Sequence, residues 1–219
     1  MIAIVDYRAG NVTSVLTAVN HLGYPGKITD KPDEILQAER VIFPGVGAAR
    51  EAMQNLDDLQ LTGTIKSIIA DGKPFLGICL GYQILFEESE ENDGTQCLGV
   101  LPGDVVHFRT VMHAHRQAQA EHKLKVPHMG WNGIAFPSNG ADNHPVLNKI
   151  PRDSEFYFVH SYYPRPTPQD ILLYTEYGGW LASGAYRDNI VALQFHPEKS
   201  GRPGLQLLDN FCSWNGAVP

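Results

Sequence analysis

The 219-residue sequence predicts an α/β fold: a mostly parallel central sheet flanked by helices, with an added antiparallel strand region in the later half. Three observations predict it. Short apolar runs alternate with helix-length stretches in the first half, strand-like runs crowd the second half, and the turns "FPGVGAA" and "GICLGYQ" each join an apolar run to a helix.

Taken in order, "IAIVD" (residues 2–6) reads as a buried strand and residues 11–22 as a helix. "RVIFPG" (40–45) is the next strand, helical segments fill 48–70, and "PFLGIC" (74–79) is a strand that runs into its own helix. Beyond that point "VVHF", "GWNGIAF", "SEFYFVHSYY", "ILLYTEY", "WLASGAYR" and "NIVALQFH" follow as strands, some of them antiparallel, before a C-terminal helix near 204–214. The Pro-rich "YYPRPTPQD" (162–170) reads as a loop, and 109–123 as a polar surface segment. With no internal repeat, a chain of this length is expected to form one domain over 1–219, with a full core that needs neither disulfide nor metal.

Composition narrows the function. A formal net charge of −7 without a basic cluster argues against a nucleic-acid groove. No apolar run approaches the ~18 residues of a membrane span, and the N-terminus lacks the look of a signal peptide, so a cytoplasmic protein is expected. Three cysteines at wide spacings suit neither a disulfide framework nor a CxxC metal site. His113, His115, His122 and His128 have no carboxylate or cysteine at a metal-site spacing, so no metal and no cofactor are implied. Cys97 and Cys212 read as packing residues, and the sequon at Asn11 as coincidence.

Cys79 stands apart. Gly-x-Cys-x-Gly has the form of a nucleophile elbow, in which small flanking residues allow a tight turn and the following helix favours a thiolate. Alone, the same cysteine reads equally well as a small buried hydrophobe. A cysteine nucleophile needs a base, and "IVALQFHPEKS" offers His196 at a strand end, kept extended by Pro197, with Glu198 close enough to hold one ring nitrogen. The Gly-rich turn at 43–49 suits an oxyanion hole and lacks the Gly-Lys-Ser/Thr ending of a phosphate loop.

Together, "GICLGYQ" and "QFHPEKS" resemble the triad-type (class I) glutamine amidotransferases, whose fold is flavodoxin-like. "IVDYRAGNVTSV", "PGVG", "VPHMGWN" and "HSYY" are most similar to a glutaminase subunit that serves a (β/α)8-barrel synthase in histidine biosynthesis; the likeness runs from residue 1 to about residue 211. The resemblance implies that Cys79 attacks the carboxamide of L-glutamine, His196 moves protons and Glu198 orients His196. It implies an oxyanion hole from the backbone amides of Val46 and Leu80, and a glutamine pocket of Gly47, Gln83, His160, Ser161 and Tyr162, with 160–162 acting chiefly through backbone. It also implies that Asn11, Met129, Trp131 and Lys199 face the barrel subunit in a heterodimer, although Trp131 on its own reads equally as core. Tyr82 and Gly201 depart from the usual pattern, where methionine or histidine and glutamine are frequent. Two other readings stay open: a glutaminase for a different barrel, as in surface-sugar amidination, and a silent regulatory subunit.

Overall fold

Strands that are apolar at every position must be covered on both faces, and four such or nearly such strands form the parallel centre of the sheet. The computed structural model describes residues 1–109 and 125–218. Its main sheet runs in the order β2 (Gly26–Thr29), β1 (Ile2–Val5), β3 (Arg40–Gly45), β4 (Phe75–Cys79), β13 (Ile190–Leu193), β12 (Trp180–Arg187) and β11 (Ile171–Glu176). The first five are parallel and the last two antiparallel, as the two halves of the sequence suggest.

Alternation along each strand builds two cores. Ile4, Ile42, Ile78 and Leu193 face α1 (Val12–His21) and the C-terminal helix α6 (Gly201–Ser213), through Val15, Val19, Leu207 and Phe211. Val5, Val41, Phe43 and Phe75 face the other way, onto Ile35 of α2 (Pro32–Gln37), Leu56 of α3 (Ala49–Asp58), and Ile65 and Ile68 of α4 (Leu61–Ala70). β2 and α2 escape a reading by apolar runs because "GKIT" is a half-buried edge and α2 has six residues.

Two further sheets flank the C-terminal ends of the parallel strands. One joins β10 (Tyr162–Pro166), β7 (Gly103–His107), β5 (Glu88–Ser89) and β6 (Thr95–Gln96); the other is the antiparallel pair β8 (His128–Gly133) and β9 (Glu155–His160). β10 corrects the loop expected at 162–170. Its prolines are tolerated because β10 is the edge strand of its sheet.

The helix after the elbow is also shorter than expected: α5 covers only Leu80–Gln83. Ile84, Leu85 and Phe86 are all fully buried, and consecutive buried residues do not share one face of a helix. Residues 110–123 of the polar segment, with His113, His115 and His122, lie outside the described residues. No helix among the described residues is long and apolar enough to cross a membrane.

The elbow depends on one close approach. A Cβ on Gly81 would lie 1.8 Å from the carbonyl oxygen of Phe43 in β3. Gly63, exposed in the first turn of α4, meets nothing. Gly81→Ala is therefore expected to destabilise by about 3 kcal/mol or more through overpacking, lowering the melting temperature by roughly 6–12 °C. Gly63→Ala is expected to raise it slightly, by about 0.5–1 kcal/mol of helix propensity. Thermal melts of the two variants beside the parent check both signs.

Candidate active site

Three parallel strands end side by side, and each delivers one part of the site. β4 ends on Cys79, β3 beside it ends on Gly45 and leads into Val46-Gly47, and β13 on the other flank leads through Gln194 to His196. Cys79 turns sharply at φ 56° and ψ −108°, outside the regions an L-residue prefers, which is the strained geometry an elbow needs to lift its side chain off the sheet.

His196 is positioned by its neighbours on both sides in sequence. Pro197 opens a short 3-10 turn, Pro197–Lys199, that swings Glu198 back under the ring, and Nδ1 lies 2.8 Å from Glu198 Oε1. Asn11, the left-handed residue before α1, donates its side-chain amide to the same oxygen at 3.0 Å. The sequence places Asn11 on a partner face; the fold also makes it a second anchor for Glu198. Nε2 faces Cys79 and has no hydrogen bond of ordinary geometry. Burial alone would lower the pKa of His196, but the negative forms of Cys79 and Glu198 outweigh it and hold it up at about 10. The arrangement is suited to a thiolate–imidazolium pair.

In front of Cys79 lies a cavity of about 290 Å³, lined by Val46, Gly47, Leu80 and Gln83 on one side and by Val159, His160, Ser161 and Tyr162 on the other. All five residues expected in a glutamine pocket are thus brought to one cavity. Gln83 is buried and wired: Nε2 donates to the Tyr162 carbonyl at 3.0 Å and to Gln194 Oε1 at 3.1 Å, using both amide hydrogens and leaving Oε1 as the acceptor for a ligand. Gln194 in turn points its Nε2 at Cys79 Sγ, 3.9 Å away.

Gln194 and Glu91 were missed in the sequence. Glu91 lines the cavity and accepts from the Ala49 amide at the start of α3, 2.6 Å away. The signal for Gln194 was its place two residues before His196 on one strand face; Glu91 sits in an acidic run, "EESEEND", with no local signal.

One expectation needs correction. The Val46 amide does not point into the cavity: it donates to the Ala9 carbonyl at 2.7 Å, so no oxyanion donor is on offer there in this conformation. The Leu80 amide heads α5 and is not spent on an intrahelical bond. His160 Nδ1 lies 2.8 Å from the Tyr162 carbonyl.

Trp131 and Met129 are 55% and 62% exposed, which removes the core reading of Trp131, and Lys199 is exposed beside the site. Tyr82 turns into the core and its hydroxyl reaches the Ala182 carbonyl, while Gly201 takes φ 60° at the start of α6. Cys97 and Cys212 are held well above the ordinary thiol range, both at about 12 and chiefly by burial. Among the described residues no group of three or more His, Cys, Asp or Glu is placed to hold a metal ion.

The chain is similar in sequence and fold to known proteins. A family model described as Glutamine amidotransferase class-I matches residues 3–213. A relative from Nitrosococcus oceani, "Imidazole glycerol phosphate synthase subunit HisH", is 47% identical over 218 residues, covering 98% of each chain. A protein of the same description from Acinetobacter baylyi is 43% identical over 215 residues, again covering 98% of each. The fold is shared with a solved glutamine amidotransferase at TM-score 0.68 and 17% identity, covering 97% of this chain and 100% of that one. The chain belongs to the class-I glutamine amidotransferase family and, within it, to the family of HisH subunits.

The raised pKa of His196 carries a sign. A histidine whose folded pKa exceeds its unfolded value of about 6.5 adds stability below that value and loses it as pH rises through about 10. Glu198→Gln removes one of the two negative partners. Its cost in melting temperature is expected to be largest at about pH 6.5 and to shrink steadily as pH rises to about 10. Paired melts of parent and variant across that range check this; a difference that stays constant with pH would show that the carboxylate does not support the imidazolium.

Proposed function

We propose that this chain is the glutaminase subunit of an imidazole glycerol phosphate synthase. It hydrolyses L-glutamine to glutamate and ammonia in the cytoplasm and hands the ammonia to a (β/α)8-barrel subunit that makes imidazole glycerol phosphate and AICAR in histidine biosynthesis. The observation that carries the reading is the position of Cys79, beside the His196–Glu198 pair and at one wall of a cavity lined by Gly47, Gln83, His160, Ser161 and Tyr162.

In this reading the thiol proton resides on His196 and Cys79 Sγ attacks the carboxamide carbon. His196 returns the proton to nitrogen as ammonia leaves, and water then cleaves the thioester to glutamate. The exposed Met129 and Trp131, with Lys199 and Asn11 near Glu198, support a docking face for the barrel on the side of the molecule that holds the triad.

Cys79→Ala and Cys79→Ser are expected to abolish glutamate release while the protein stays folded, because a methyl is no nucleophile and a hydroxyl yields too little anion. His196→Ala costs nearly as much and Glu198→Ala less, as the orienting acid of a triad is the mildest loss. Free ammonia restores synthesis by the complex in all three cases. An alanine variant at Cys79 that released glutamate at the parental rate would sink the assignment.

The bond from the Val46 amide to the Ala9 carbonyl supports a second expectation. An oxyanion donor withheld at rest costs on the order of 3 kcal/mol, about a hundredfold or more in rate. Glutamate release is expected to be very slow for the isolated subunit and fast only for the complex carrying its phosphoribulosyl ligand. Gly47, at φ 109°, supplies the backbone freedom next to the peptide that must turn. Rates measured for subunit, bare complex and loaded complex test this, and three equal rates would leave a constitutive glutaminase.

A further inference from the structure

Two buried histidines connect strand β8 to the glutamine cavity. His128, on β8, and His160, at the end of β9, are paired across the hairpin, and His128 Nδ1 lies 3.0 Å from His160 Nε2. Asn132 Nδ2 is 3.2 Å from His128 Nε2, and His160 Nδ1 is 2.8 Å from the Tyr162 carbonyl.

The proton positions follow from the two ends. Asn132 Oδ1 accepts from the Gly133 amide and its Nδ2 donates to the Glu176 carbonyl, which fixes Nδ2 as the group facing His128. His128 Nε2 must therefore accept, so its Nδ1 carries the proton and donates to His160 Nε2. At the far end a carbonyl can only accept, so His160 Nδ1 carries its proton too. Both ends dictate one direction. That direction requires both rings neutral, and burial, the main cause in each case, holds His128 at about 4 and His160 at about 3.

The carbonyl of Tyr162 is the point where this chain meets the pocket. It accepts from His160 on one side and from Gln83 on the other, and Gln83 passes the contact to Gln194 and so to Cys79. Its neighbours Ser161 and Tyr162 line the cavity. We infer that His128 is a positioning residue for glutamine: by donating to His160 it fixes the ring that holds the Tyr162 carbonyl, and thereby the pocket edge and Gln83. The inference rests on the glutaminase reading and adds to it a residue that touches neither substrate nor triad. His128 is also stacked between Phe158 and Tyr177, at 4.7 and 3.9 Å between ring centroids, so a purely packing role is the rival account.

The two accounts part on a pair of substitutions. His128→Phe keeps a flat ring between Phe158 and Tyr177 but leaves His160 Nε2 without a donor. The bond from His160 Nδ1 to the Tyr162 carbonyl is then the only one that holds the ring, and the buried Nε2 is left unpartnered, so the ring and the carbonyl it holds are no longer fixed from both ends. His128→Asn loses the ring but places an amide nitrogen where Nδ1 was. In the complex with the barrel subunit, His128→Phe is expected to raise KM for glutamine about tenfold or more, the weight of one buried hydrogen bond, with a smaller change in kcat. Turnover with free ammonia stays at the parental value, which shows that the barrel's own site is unaffected, and co-elution with the barrel subunit on size-exclusion chromatography confirms an assembled complex. His128→Asn recovers most of the lost affinity.

A His128→Phe complex with parental KM, or an asparagine variant worse than the phenylalanine one, would overturn the inference in favour of packing. If the parent complex released no glutamate at all, the glutaminase reading itself would fail. Should the phenylalanine variant not fold, nitrogen NMR of the parent decides. Nδ1-protonated tautomers at both histidines, with ring shifts that move when glutamine is added to the Cys79→Ser complex, are expected. An Nε2-protonated ring at either position, or shifts indifferent to glutamine, would overturn the relay.

Discussion

The contact of Gly81 with the Phe43 carbonyl is the constraint on which the site depends. It lets β3 and the elbow approach so closely that even a methyl group would collide, and the pairing of Gly45 with Cys79 locks that approach into the sheet. Holding Cys79 at positive φ costs on the order of 1–3 kcal/mol. Such strain persists only where surroundings over-determine it, and here β3 and β13 clamp β4 from both sides with buried apolar residues on both faces. The parallel order also explains why residues from the beginning, middle and end of the chain meet. Asn11, Cys79 and His196 are far apart in sequence, yet each follows or ends a strand whose C-terminal end lies at the same edge.

What the sequence reveals about this site is what is encoded locally. Gly-x-Cys-x-Gly is a backbone instruction confined to five residues, and His196-Pro197-Glu198 forms its own hydrogen bond through one short turn. Both are legible without knowing the fold. The alternation of apolar runs likewise announces the parallel centre, because strands covered on both faces cannot hide their composition. Contacts made across the chain are silent in it. β10 looks like a loop because its prolines are admissible only at an edge, and the edge is defined by pairing with β7, more than fifty residues earlier. His128 is only one of four histidines without a metal-site neighbour until β8 is set against β9. The Val46 amide looks available because the carbonyl that occupies it belongs to Ala9 in another loop.

The site is therefore complete in one respect and incomplete in another. Cys79, His196 and Glu198 are brought together, with Glu198 held by two donors and the His196 charge supported from both sides. Of the two oxyanion donors that the resemblance implies, the Val46 amide is engaged elsewhere and the Leu80 amide is not spent on an intrahelical bond. In the proposed mechanism the attack geometry is prepared while one electrostatic contribution to the transition state is held back. A glutaminase that feeds a second site has reason to be built this way: ammonia released without an acceptor is glutamine lost. In the proposed switch the bond to be broken is one backbone hydrogen bond, of a size that a bound partner can offset.

The most direct test of the central claim, that Cys79 is a nucleophile facing a glutamine-shaped cavity, is covalent labelling of the isolated chain by an electrophilic glutamine analogue, read by peptide mass spectrometry. The alkylation needs the thiol and the pocket but not the oxyanion donor, so the resting conformation does not obstruct it. The account predicts one adduct per chain, on Cys79, suppressed by excess L-glutamine, with Cys97 and Cys212 unmodified because burial keeps both as thiols. Labelling shared among the three cysteines, or an adduct on Cys79 that glutamine does not suppress, would contradict it.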